Sequence, residues 1–351
     1  MRSFGEICVA RASPFNFFVE DWILKRNLLV AFMLSIRHWL LMVLPFALWG
    51  TAMAAMTPLV ISGGPLLVAC LRLLPAGVVI LLALPSLGRH WAIASTDRIW
   101  FLVFTVVDAC LFQMFLVKGL AYTGAGMGSV LIDSQPLLVA LLARSLFGES
   151  INPVGWMGLM FGLVGIICLG APPDLLRHWW LLGEQASGSS LLEQGEGWML
   201  AAAIAMALGT VLSRYACRSS DPVAVTGWHM VLGSLPLLLW HSFDRTWPLW
   251  PDWTGFDWGL MAYASLFGSA LAYGLFFWLV NREELTSFST LAFLTPVFAL
   301  AAGGVWLGER LQPLQWFGVA LVLLSVLVVS QRRRLWEPAE VDSDVLPGEI
   351  G

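Results

Sequence analysis

Long apolar runs separated by short polar breaks dominate this chain. A membrane helix needs about 20 mainly apolar residues. Ten such runs can be read, near 38–58, 65–86, 98–118, 124–147, 153–171, 197–216, 222–242, 257–280, 285–307 and 313–331. Most connections are short, so consecutive helices are expected to be antiparallel neighbours. The longest, 172–196, holds Pro172, Pro173 and a Gly/Ser/Glu-rich stretch, and it divides the chain near its middle. Residues 1–37 read as an N-terminal tail. Its Asn16–Ser35 stretch is apolar with a few charges, suited to lie in the interface or to extend the first helix. Residues 332–351 read as the C-terminal tail, polar and acidic from 335 onward.

Composition points the same way. Of 351 residues, 58% are hydrophobic and 12% charged, against about 25% charged in soluble domains. Mean hydropathy is +0.79. So few charges cannot cover a water-soluble surface of this size. The net charge of −4 comes without a basic patch, which excludes a nucleic-acid partner. Cys8, Cys70, Cys110, Cys168 and Cys217 are scattered, with no metal-ligand spacing, and read as apolar filler; no metal and no cofactor are expected. Several tryptophans, among them Trp39, Trp91, Trp100, Trp258 and Trp316, sit at run ends, where indole rings prefer the headgroup level.

Lys and Arg placement sets orientation. With the N-terminus inside, the inner side carries Arg2, Arg11, Lys25, Arg26, Arg37, Arg89, Arg98, Arg214, Arg218, Arg282 and Arg332 to Arg334. The outer side carries only Lys118, Arg177, Arg245 and Arg310. Both termini are therefore expected in the cytoplasm, with the cell membrane as the location.

The two halves match. Pro136, Gly148, Glu149, Pro153, Trp156 and Gly158 recur, without a gap, as Pro296, Gly308, Glu309, Pro313, Trp316 and Gly318. Earlier, Gly64-Pro65 with Arg72 aligns with Asp221-Pro222 and His229. A five-span unit that repeats must enter the membrane with opposite orientation, the inverted-repeat arrangement of many transporters. The fold class expected is all-α: a polytopic membrane protein of ten transmembrane helices in two inverted five-helix repeats, 38–171 and 197–331.

These residues resemble the EamA-type units of the drug/metabolite transporter superfamily. The likeness lies in Ala47-Leu-Trp49-Gly50, in Arg72 with Pro75, and in Gly119-Leu-Ala-Tyr122-Thr123-Gly-Ala. It is strongest in Gln135-Pro136 through Gly158 and in the second copy, Thr295-Pro296 through Gly318. It covers about residues 40–331. The resemblance implies ten helices, cytoplasmic termini and export or exchange of a small molecule by alternating access. It leaves the substrate open. The sequence departs from symmetry where His229 stands in place of Arg72.

Ionisable groups at the bilayer centre cost about 2.5–3.5 kcal/mol each, so they persist where a cavity or a partner receives them. Arg72, Asp108, Asp133 and His229 lie well inside runs. Arg72, Asp108 and Asp133 share a similar depth and are expected to be able to meet. They serve either a polar substrate site with a proton-responsive carboxylate or an ion pair that locks helices. Gln113, Gln135, Tyr273 and Thr295 are further candidates for the substrate path, with Thr210, Ser213 and Ser269 behind them. Gln113 is five residues past Asp108, about 140° around a regular helix, so the two need not share a face. Pro136 and Pro296 are expected to kink their helices, with Gln135 and Thr295 covering freed carbonyls. Glu149 and Glu309 are expected to cap the helices that follow them. The pairs Gly124/Gly128 and Gly158/Gly162 favour close packing, inside the bundle or across a homodimer face.

No GxxxxGK[ST] loop, HExxH or GxSxG occurs, so neither ATP hydrolysis nor an intramembrane enzyme is supported and no catalytic residue is assigned. A secondary active transporter, an exporter or exchanger of a metabolite or drug-like molecule, fits best. A channel or a non-transporting scaffold is the alternative.

Overall fold

A computed structural model describes residues 14–116, 118–119, 131–170, 195–243, 250–307 and 313–336, with side chains from 37 onward except at 57, 170, 196 and 303–307. The described residues are helical, with short turns and no strand. Gly124, Gly128, Glu309 and nearly all of the central connection fall outside them.

Helix α1 spans Pro14–Gly63 without interruption. The apolar Asn16–Ser35 stretch is helical. Residues through Met42 form one unit and Val43–Gly351 the other. Within the larger unit follow α2 (Pro65–Ala83), α3 (Arg98–Leu116), α4 (Gln135–Phe147), α5 (Pro153–Gly170), α6 (Glu196–Ala216), α7 (Pro222–Phe243) and α8 (Gly255–Val280). Helix α9 runs through Leu285–Thr290, a 3-10 turn at Leu291–Phe293, and Leu294–Leu307. Helix α10 is Pro313–Ser330 and α11 is Arg332–Trp336. Among the described residues, eight helices are long and apolar enough to cross a membrane, and α4 and α5 are shorter apolar helices where the fourth and fifth spans are expected.

Local chemistry sets the boundaries. Prolines 65, 153, 222 and 313 open their helices, at a position whose N–H has no helical partner to lose. Gly64, at φ 82°, makes the break between α1 and α2, a conformation that costs a residue bearing a Cβ. Thr254 and Asp257 form a reciprocal capping box at the start of α8.

The prolines expected to kink helices do something different. Pro136 lies in the first turn of α4, after a turn at Asp133 and Ser134. Pro296 follows the 3-10 turn of α9. In both halves the helix loosens one turn before the proline, where the ring would clash with the carbonyl four residues back. A second paired irregularity was not legible in the apolar pattern. The middle of α3, Thr105–Phe112, and the middle of α8, Leu266–Leu271, are both π-helical.

The helix pairings of the two halves exchange with one another. The most extensive interfaces are α5 with α10 and α2 with α7, each a helix against its own counterpart. Helix α6 packs on α3 and α4. Correspondingly, α1 packs on α8, where Gly268 meets Ala52, and on α9, where Gly50 meets the backbone of Thr295 and Ala299. The α5–α10 seam is built from small residues. A Cβ on Gly162 would meet Phe293 of α9 and lie 2.7 Å from Ser325 Oγ of α10, and one on Gly318 would lie 2.7 Å from the Gly165 carbonyl. Gly158 and Gly162 thus serve internal packing. Outward-facing Ile61, Leu82, Ile99, Phe243 and Phe256 are 71–75% exposed, as lipid-facing side chains should be.

Overpacking the seam with Gly162→Leu is expected to destabilise the protein by about 1–3 kcal/mol. Gly259→Ala, where an added Cβ meets nothing within 4 Å, should stay within about 0.5 kcal/mol. Thermal unfolding of both variants in one detergent checks the contrast.

Candidate functional site

Helix α3 carries Asp108 into the bundle on its π segment. The carboxylate is gripped from two helices of the second half. His229 of α7 places Nε2 2.8 Å from Asp108 Oδ2, with the two side chains 1% and 4% exposed. On α6, Gly209 leaves the space the carboxylate fills: a Cβ there would lie 2.3 Å from Oδ1. Phe104 stacks on the imidazole at 4.4 Å and Phe277 meets it edge-on. His229 Nδ1 is buried and has no partner among the described residues. Loss of either member would strand a polar group in a dry site, which costs more than the pair itself contributes.

Arg72 of α2 does not join this pair. Its guanidinium is buried, and its Nη2 donates to the Tyr273 hydroxyl at 3.2 Å, while Nη1 approaches the Met56 sulfur at 3.9 Å. Nε has no partner among the described residues. No carboxylate lies within salt-bridge distance among them, so the expected meeting of Arg72, Asp108 and Asp133 does not occur. Tyr273 stands between the two charged sites, with Arg72, Asp108 and Gln113 all within electrostatic or hydrogen-bonding reach of its hydroxyl. The π segment explains why Gln113 is there. Hydrogen bonding from i to i+5 widens the turn, so a residue five positions on returns towards the Asp108 face instead of pointing about 140° away.

An aromatic shell closes around Tyr273. Trp49 packs against its ring at 4.9 Å and against Phe276, and Phe46 and Phe288 complete the cluster. Trp49 Nε1 is buried without an acceptor among the described residues. Sequence reasoning assigned tryptophans to the headgroup level and missed this one; its position before Gly50, mid-span, was the available signal.

The remaining candidates separate. Gln135 Nε2 donates to Thr210 Oγ1 at 3.2 Å, tying α4 to α6 rather than covering a carbonyl freed by Pro136. Asp133 is half-buried, and its carboxylate forms no hydrogen bond or ion pair with a described residue. Thr295 turns its carbonyl towards Gly50. Ser213 and Ser269 bond back to carbonyls of their own helices. Pro136 and Pro296 stay at the helix breaks already described.

Glu149 does cap a helix, but not the one that follows it. Its carboxylate accepts from the backbone N–H of Leu285 and Thr286 and from the Thr286 hydroxyl, at 2.8–3.1 Å, at the start of α9. The chain after Gly148 turns away, so the nearest open N-terminus belongs to the other half. Arg214 lies 4.0 Å from Glu149 and donates to the Val280 and Glu283 carbonyls. Nearby, Glu284 pairs with Arg332 and Arg333. These contacts tie α4, α6, α9 and α11 together at one end of the bundle. Beside them lies an open pocket of about 410 Å³ lined by Arg214, Arg218, Arg282 and Glu284. Arg89 with Asp221, 2.6 Å apart, continues the same ionic rim.

The EamA-like transporter family matches residues 37–171 and again 194–331. An uncharacterized transporter of Synechocystis sp. is 46% identical over 304 residues, which are 86% of this chain and 92% of that protein. A chloroplastic WAT1-related protein of Arabidopsis thaliana is 41% identical over 299 residues, covering 84% of this chain and 69% of its own. A solved crystal structure superposes with a TM-score of 0.70 over 85% of this chain and 98% of that one; at 19% identity, the likeness concerns the fold. The chain therefore belongs to the EamA-like transporter family, as a multi-pass membrane protein that is a transporter and not an enzyme.

Proposed function

We propose that the chain is a secondary active transporter that exports or exchanges a small, partly apolar metabolite by alternating access. In this reading ten spans form two inverted repeats, 38–171 and 197–331, joined by 172–196. Both tails, 1–37 and 332–351, lie in the cytoplasm, and the location is the cell membrane. The substrate path runs along Arg72, Asp108, Gln113, Tyr273 and His229, with Asp133, Gln135 and Thr295 on its flank.

One observation carries the reading. Arg72 is a buried guanidinium whose hydrogen-bonding partners among the described residues are a phenol and a thioether. A cation inside a bilayer is expensive to keep. A purely structural arginine would be matched by a carboxylate. One left partly unmatched beside an aromatic shell is a group held ready for cargo. The exchangeable helix pairings support two conformations of similar energy, since either half can take the other's role. The Glu149, Arg214 and Glu284 contacts then form the closed gate at the Arg-rich, cytoplasmic end.

Four outcomes are expected. Cells carrying the protein should release at least one metabolite faster than cells lacking it, in an untargeted comparison of the medium. That metabolite should show trans-acceleration in proteoliposomes; a channel would show none. Arg72→Gln should abolish the exchange while the protein still reaches the membrane. Glu149→Ala should weaken the closed gate by about 1–3 kcal/mol, because two N–H groups lose their acceptor. Labelling of a cysteine placed at Thr290, beneath that gate, by a membrane-impermeant maleimide applied from the cytoplasmic side should then rise, and unchanged labelling would argue against the gate.

A further inference from the structure

The central polar groups sort by charge in a way that names the cargo more closely. Arg72 contributes one positive charge, Asp108 one negative charge, and neutral His229 none. The Tyr273 hydroxyl accepts from Arg72 and lies within the field of the Asp108 carboxylate. With Nε2–H of His229 donating to Asp108, the basic lone pair of the imidazole is on Nδ1, the buried atom that has no partner among the described residues. A proton taken from water adds there. The imidazolium so formed rests against the face of Phe104, 4.4 Å away, a favourable surface for a cation.

From this geometry we infer that the site takes up one proton, on the His229–Asp108 pair, together with one monoanionic amphipathic substrate, whose negative group is received by Arg72 and whose apolar part lies in the Trp49, Phe276 and Tyr273 shell. Without the proton the centre is already neutral, and an added anion leaves a net negative charge in a dry interior. With the proton alone, it holds a net positive charge. Each is poorly accommodated without the other. Proton and anion therefore cross together and the loaded carrier stays neutral. The donors left open, Arg72 Nε and Trp49 Nε1, are both N–H groups that need an acceptor.

The groups facing the pair are few. Phe104 comes from α3, Tyr273 and Phe277 from α8, and Gly209 from α6. The Cys70 and Cys110 thiols point to the Ser234 and Gly233 carbonyls of α7. Arg72 is the charged side chain, among the described residues, that shares a neighbour with the pair.

This inference rests on the carrier reading and is tested separately from it. Three probes of similar shape are compared on the purified full chain: benzenesulfonate, which is anionic at every pH used, neutral benzenesulfonamide, and cationic phenyltrimethylammonium. Affinity is followed by calorimetry and by thermal stabilisation. Only benzenesulfonate is expected to bind, more tightly as pH falls and by at most about tenfold per unit, as linkage to one proton requires. His229→Gln should bind benzenesulfonate weakly and without a pH slope, at the level the unaltered protein shows at the high-pH end; Arg72→Gln should lose the binding at every pH. A pH-independent affinity in the unaltered protein, preference for the amide or the ammonium, or binding of none of the three overturns the proposal without any variant having to fold. Preference for another charge leaves the carrier reading in place, whereas absent trans-acceleration removes the carrier itself.

Discussion

Hydrocarbon offers no water to a buried polar group, and that constraint organises this molecule. Each polar side chain carried into the bundle has to be met by protein, or stays unmet at a cost. The Asp108–His229 pair is the clearest consequence. It joins the third helix of the first half to the second helix of the second half, and Gly209 is small so that the carboxylate can fit. Gln135 with Thr210 and Thr51 with Tyr263 bind the halves by the same logic, at 3.2 and 2.8 Å. Apolar packing alone drives helices together weakly in lipid, so these polar contacts and the glycine seams fix which helix sits against which.

Near-symmetry and its failure do different things. The exchangeable pairings, the loosened turns before Pro136 and Pro296, and the two π segments give both halves the same mechanical parts. The polar residues on those parts differ. Arg72 and His229 occupy matched places on α2 and α7, and Asp108 and Ser269 lie in the matched π segments. Two similar scaffolds thus carry one cationic position and one His–carboxylate position, set on either side of Tyr273. In the proposed carrier, a symmetric backbone suits exchange between states, and an asymmetric centre gives the cargo a direction in which to point.

Much of the fold could be read from the chain because the bilayer writes it in long apolar runs and in prolines at helix starts. The repeat was legible because Pro, Gly, Glu and Trp anchors recur in register. The site was legible only as a set of polar residues at similar depth. Which of them would meet was not. Arg72 looks equally able to reach Asp108 or Tyr273 until the rotation of α8 is known, and that rotation depends on a π segment with no apolar signature. Glu149 appeared to serve its own loop because sequence proximity hides a partner on α9. Trp49 was hidden among the many tryptophans expected at the headgroup level. In each case the deciding fact is the relative placement of distant helices, which local pattern does not carry.

Alternating access requires that the end held together by Glu149 and Arg214 opens. Spin labels at Ser145, near the end of α4, and Arg282, in the turn before α9, report the distance across it; both positions are exposed. Pulsed electron–electron resonance on the protein in lipid nanodiscs should resolve two distances, a short one for the closed end and a longer one whose share grows with Glu149→Gln. A single unchanging distance in both proteins, across pH, would contradict alternating access at this end.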